Sequence, residues 1–264
     1  MAAQSDPELR PAGLPEAARI AAHDARAGEP APGTPHLPLI EAAGEAIVES
    51  VVERKPSWRG WIHAGTAPLA LAAGIVLIAL ADGATARIAS AVFMTTSLLL
   101  FGVSAVYHRF HWSERVRVVL KRLDHANIFL LIAGTYTPIA LLTLPDDKAL
   151  LLLSCVWGGA LLGIAFRVFW INAPRWLYVP LYLALGWAAV AFLGDIWAAN
   201  PATTILVAAG GLAYTAGAIF YGLKKPNPFP AHFGFHEIFH VCTVVAFLCH
   251  WTAVLLVAVR PPLG

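Results

Sequence analysis

Residues 88–107 read IASAVFMTTSLLLFGVSAVY, residues 108–125 read HRFHWSERVRVVLKRLDH, and residues 126–144 read ANIFLLIAGTYTPIALLTL. Two uncharged apolar runs thus flank a connection that carries Arg109, Arg115, Arg117, Lys121 and Arg122. A helix rises about 1.5 Å per residue, so either run covers the roughly 30 Å of hydrocarbon in a bilayer. No water reaches the backbone N–H and C=O groups at that depth, so each run must satisfy them internally as a helix. The basic connection belongs in water. This alternation makes the chain an all-α integral membrane protein.

The same pattern recurs in both directions. Further apolar runs lie at about 61–81, 149–166, 177–194, 203–223 and 238–259, which predicts seven transmembrane helices. Composition agrees, because 58% of the 264 residues are hydrophobic and only 13% are charged. Soluble domains carry about 25% charged residues, and a soluble fold has nowhere to hide so much apolar surface. The formal charge of +2 is too small to argue for a nucleic-acid partner. Cys155, Cys242 and Cys249 all sit inside apolar runs. They form neither a disulfide framework nor a CxxC metal knuckle and read as small apolar fillers.

Basic residues orient the spans. With the amino terminus inside, the inside connections carry Arg54, Lys55, Arg59, Arg109, Arg115, Arg117, Lys121, Arg122, Arg167, Arg175, Lys224 and Lys225. The outside ones carry only Arg87, Lys148 and Arg260. The positive-inside rule therefore predicts a cytoplasmic amino terminus and, with seven spans, an external carboxyl terminus.

Ahead of the spans, residues 1–38 hold prolines at 7, 11, 15, 30, 32, 35 and 38 and predict a disordered Pro/Ala-rich tail. They contain no apolar h-region behind a basic start, so no cleaved signal is expected. In residues 39–54, Ile40, Ala43, Ile47 and Val51 recur at helical spacing while Glu41, Glu45, Glu49 and Glu53 line another face. This predicts a short amphipathic helix before the membrane domain at 55–262.

Polar groups near hydrocarbon are costly and mark function. The second span ends in Ser104-Ala-Val-Tyr-His108, the third opens Leu123-Asp124-His125, and the seventh opens His236-Glu237-Ile-Phe-His240. All three places fall at the same predicted membrane face. Residues four apart stack on one helix face, so His236 and His240 can take adjacent corners of a tetrahedral zinc. A third imidazole from another helix leaves one position for water. Such a metal lowers the pKa of water towards 7 and polarises a carbonyl. Asp124 is then the candidate base and Ser104 a hydrogen-bond donor behind the ligands.

Plainer readings accompany each residue. The histidine pair can face headgroups, Asp124 can pair with Lys121 or Arg122, and Ser104 can bond its own helix. HEIFH also matches HExxH, which makes Glu237 a rival base and an intramembrane metalloprotease a rival reading. His63 and His250 lie inside spans, and His111, His125 and His232 lie in or beside loops. Structural roles are expected of all five. Gly134-Thr-Tyr-Thr-Pro138 places a proline inside the third span, where Tyr136 and the neighbouring hydroxyls either line a cavity or repair the helix. Gly159 and Gly163 form GxxxG and allow close helix approach. Trp61, Trp176 and Trp197 sit at span ends as interfacial anchors.

The run SAVYHRFHWSERVRVVLKRLDHANIFLLIAGTYTP, residues 104–138, together with HEIFH at 236–240, resembles the hemolysin III branch of the progestin and adipoQ receptor family, which includes the adiponectin receptors. The resemblance covers about 56–259. It implies seven spans with the amino terminus inside and a zinc ion held by His108, His236 and His240, with Ser104 and Asp124 beside it as catalytic candidates. The position of Glu237 is Gln in the adiponectin receptors. The family precedent is ceramidase-like, so the expected function is a zinc-dependent hydrolase of a lipid amide or ester in the plasma membrane. The alternatives are a membrane-state sensor or homeostasis factor with structural zinc, and a hemolysin-type permeabilising activity. The expected partner is a membrane lipid, as substrate or ligand.

Overall fold

The computed structural model describes residues 56–262. The expected tail at 1–38 and the amphipathic helix at 39–54 lie outside these residues. Eight helices follow one another: α1 Trp61–Leu80, α2 Gly83–Arg109, α3 Glu114–Thr143, α4 Asp146–Phe169, α5 Arg175–Gly186, α6 Leu193–Ala199, α7 Pro201–Leu223 and α8 Phe235–Val259. A 3-10 turn, Ala188–Phe192, joins α5 to α6, so residues Arg175–Ala199 form one span. Seven spans are long and apolar enough to cross a membrane. Among the described residues there is no strand, only an isolated bridge between Phe229 and Phe233.

The bundle is apolar on both its inner and outer surfaces. Phe93, Phe101, Phe129, Ile139, Phe247 and Val254 are buried together in the core. Leu69, Ile75, Ile88, Leu150, Leu162, Ile205, Leu212 and Leu248 are exposed on the outside of five different helices. A water-soluble monomer rarely exposes apolar patches beyond a few hundred Å², whereas lipid is the natural solvent for such a belt. Trp61, Trp176 and Trp197 are exposed near helix ends, where interfacial anchors belong. The chain is a multi-pass membrane protein.

The last helix is the hub. α8 packs against α7, α1, α3 and α2, so residues on its first turns can meet residues from several spans. Its own start is built locally, because the Gly234 N–H donates to Glu237 Oε2 at 2.9 Å, satisfying one of the free amides of the first turn. At the start of α7, Asn200 Oδ1 accepts from the Thr203 N–H at 3.0 Å and Pro201 follows at the first helical position.

Two differences from the sequence reading have clear causes. α3 begins at Glu114, well before the apolar run at 126, because its polar first turns project beyond the hydrocarbon and stay helical. Asp124 therefore lies within the helix rather than at its opening. Span five is broken where the apolar run looked continuous. The repair comes from the third span: Tyr136 donates its hydroxyl to Gly186 O at 2.6 Å and accepts the Ala189 N–H at 3.0 Å. Thr135 and Thr137 instead bond carbonyls of their own helix, at Leu131 and Ala133. Tyr136→Phe leaves a donor and an acceptor unpaired at the break. We expect a loss of about 1–3 kcal/mol, read as a lower thermal midpoint in detergent.

The GxxxG glycines serve packing inside the chain. A Cβ on Gly163 would overlap the Phe129 ring of α3, and one on Gly159 would come within 2.8 Å of Leu185 Cδ1 of α5.

Candidate metal centre

Two helices deliver the three donor atoms. His108 stands at the end of α2, and His236 and His240 stand one turn apart at the start of α8. Their ligand atoms all lie within 4.8 Å of one another. His108 Nε2 and His236 Nε2 are 3.3 Å apart. Tetrahedral zinc with Zn–N bonds of about 2.0–2.1 Å separates its ligand atoms by roughly 3.3–3.4 Å. That pair therefore already has the spacing of a tetrahedral edge, and the donor set suits a divalent ion that prefers imidazole. His108 and His240 are buried, so the cluster sits out of bulk solvent. The three histidines fit a metal ion.

The backbone is shaped for this approach. Gly60, just ahead of α1, has φ +82°, and a Cβ there would lie 2.8 Å from His108 Cβ. Only glycine accepts both the left-handed backbone and the crowding. The next residue, Trp61, carries the Arg109 guanidinium over its ring at 4.0 Å, which ties the end of α2 to the start of α1.

Asp124 joins the cluster from α3. Its Oδ2 lies 3.7 Å from His108 Nε2 and 4.0 Å from His125 Nδ1. The side chain of buried Ser104, one turn before His108 on α2, is its hydrogen-bond partner. The His125 ring is held separately, donating from Nδ1 to Lys121 O at 2.7 Å. The residues singled out in the sequence thus meet in one place, with Asp124 next to the histidines rather than among them.

Glu237 has a different task from the one HExxH suggests. It is fully buried, with Oε1 accepting from Arg59 Nε at 3.1 Å and Oε2 accepting the Gly234 N–H. Both oxygens are committed, Oε1 to fastening α8 to the segment before α1 and Oε2 to capping the start of α8 itself. Glu237→Gln keeps one acceptor oxygen, removes the charge facing Arg59 and turns an NH2 donor towards one of the two N–H groups that the carboxylate now accepts. We expect stability to fall by about 1–3 kcal/mol while any turnover stays within a few-fold, measured by thermal unfolding and by rate.

His63 shows what the sequence reading missed. It is buried in the first turn of α1 and stacks on the His240 ring with centroids 3.8 Å apart and planes 11° apart. Neither of its ring nitrogens has a hydrogen-bond partner, nor does His240 Nδ1. Ligating histidines usually have their second nitrogen held by a carboxylate or carbonyl. Here a stacked imidazole orients the ring instead. The available signal was depth, because His63 enters its span at the end where the other histidines gather. His250 is separate, with Nε2 against Val207 O at 3.3 Å.

Residues 52–251 match the haemolysin-III related family. The chain belongs to that family. It is 33% identical over 172 residues to the hemolysin-3 homolog of Bacillus subtilis (strain 168), covering 65% of this chain and 78% of that one. It is 33% identical over 183 residues to hemolysin-3 of Bacillus cereus, covering 68% and 80%. It is also 32% identical over 180 residues to the heptahelical transmembrane protein ADIPOR2 of Oryza sativa subsp. japonica, covering 62% and 79%. In this haemolysin-III family member, the matched region contains every residue of the histidine cluster together with Ser104 and Asp124.

Proposed function

We propose that this haemolysin-III family member is a zinc-dependent hydrolase that cleaves an amide or ester of a membrane lipid. The observation that carries the reading is the grouping of three imidazole donors with a carboxylate 3.7 Å from one of them. Three protein ligands leave one position of a tetrahedral ion open, which is the pattern of catalytic rather than structural zinc. When bound, zinc supplies Lewis acidity and makes water nucleophilic near neutral pH.

The chain's own residues do the rest. His108, His236 and His240 hold the ion. Asp124 takes a proton from water as its oxygen adds to the carbonyl carbon, then returns it to the leaving nitrogen or oxygen as the carbon–heteroatom bond breaks. Ser104 orients Asp124 through their hydrogen bond. His108 and His240 are buried, so charges beside them interact more strongly than they would in solvent.

The positive-inside bias supports a cytoplasmic amino terminus and a site at the cytoplasmic face of the plasma membrane. The deciding experiment incubates the purified zinc-loaded protein with an N-acyl sphingoid lipid and an ester analogue and follows fatty-acid release. Release that disappears on chelation and returns with zinc supports the hydrolase. No release from either substrate by fully metallated protein contradicts it, and a membrane-state sensor with structural zinc then becomes the better account.

A further inference from the structure

Beside the histidines lies positive charge that hydrolysis does not use. Arg167, in the last turn of α4, is 1% exposed. Its Cζ sits 4.2 Å from the centroid of the Tyr178 ring, and its Nε and Nη1 have no hydrogen-bond partner. Among the described residues no carboxylate forms an ion pair with it. Arg175, which opens α5, lies 4.8 Å from the centroid of the Tyr221 ring and donates from Nη1 to Tyr221 O at 3.3 Å. The Tyr178 and Tyr221 hydroxyls are 3.4 Å apart, so the two guanidiniums flank one aromatic pair. The Tyr221 ring is 5.8 Å from His236, and Tyr178 is 6.2 Å from His125, the neighbour of Asp124.

The ordinary roles of a membrane arginine do not account for Arg167. An arginine near a span end usually snorkels to the headgroups, but this one has no water-exposed tip. A helix terminus offers carbonyls and a partial negative charge, yet two nitrogens of the guanidinium have found no acceptor. The Tyr178 face attracts a cation without carrying net charge. A buried guanidinium with donors to spare calls for an oxyanion, and a second guanidinium across a tyrosine pair suits a phosphate, which offers several oxygens and up to two charges.

We propose that Arg167 and Arg175, with the hydroxyls of Tyr178 and Tyr221, form a phosphate subsite beside the metal centre. On the hydrolase reading above, which this extends, the subsite selects lipids that carry a phosphate in the headgroup. Phosphate binding itself needs no turnover, so the two ideas fail separately.

The test is equilibrium binding to the zinc-loaded full chain in neutral detergent. The probes are dioctanoyl phosphatidate, dioctanoylglycerol, decanoate and inorganic phosphate. The expected result is that phosphatidate binds at least tenfold more tightly than dioctanoylglycerol and decanoate. Arg167→Gln then loses at least tenfold towards phosphatidate alone, with Arg167→Lys recovering part of it and zinc content unchanged. Inorganic phosphate that competes at comparable concentration supports the phosphate chemistry and identifies free phosphate as the source. Equal binding of phosphatidate and dioctanoylglycerol overturns the proposal on the wild-type protein, whatever the variants do. So does decanoate binding as tightly as phosphatidate, or a folded Arg167→Gln protein that binds phosphatidate like wild type. Phosphatidate binding without hydrolysis of any lipid leaves the subsite standing and removes only its assignment to a substrate.

Discussion

Asp124→Asn is expected to lower lipid-amide turnover by about 10²–10⁴-fold, the range typical of a lost general acid–base group, while zinc remains bound at the wild-type ratio. The prediction follows from position. Asp124 stands 3.7 Å from His108 on a different helix, outside the set of three imidazoles, and has Ser104 as its hydrogen-bond partner. Asparagine keeps the size and an oxygen for Ser104 but cannot accept a proton. The split between metal content and rate is the informative part. Parallel loss of zinc and turnover would make Asp124 a ligand, and retention of both would leave it without a catalytic role.

His240→Ala is expected to have the opposite signature and the largest effect on the metal. It removes one of three ligands and the ring on which His63 stacks. Loss of an outer partner typically costs about 10–100-fold in metal affinity, and loss of a ligand costs more. The variant should therefore purify without zinc under conditions in which the wild type holds one ion, with turnover lost in consequence. Metal analysis by mass spectrometry reads the first effect. Restoration of turnover by millimolar zinc would separate weakened binding from misfolding.

These two residues were legible because the chemistry follows simple periodicities. Apolar runs of membrane length located the helices, and spacing of four put His236 and His240 on one face. The basic connections then brought His108, Asp124 and the last-span pair to one membrane face, and the bundle does bring them together. Other features depend on side-chain geometry that no period encodes. The break in span five is stabilised by Tyr136 from another helix, so its own sequence of apolar residues gives no sign of it. The role of Glu237 is set by Arg59, 178 residues away, and by the backbone of Gly234. Arg167 looked like one more inside-facing charge until its burial and unpaired nitrogens were visible. His63 looked structural because no neighbour in sequence pairs with it, whereas its partner is a ring in the last span.

The most direct test of the metal centre combines metal stoichiometry with X-ray absorption on the purified wild-type chain. The account predicts one zinc per chain and an edge spectrum fitted by three imidazole nitrogens and one oxygen at about 2.0–2.1 Å. A chain that binds no zinc after exposure to the ion, or a spectrum dominated by sulfur, would contradict it.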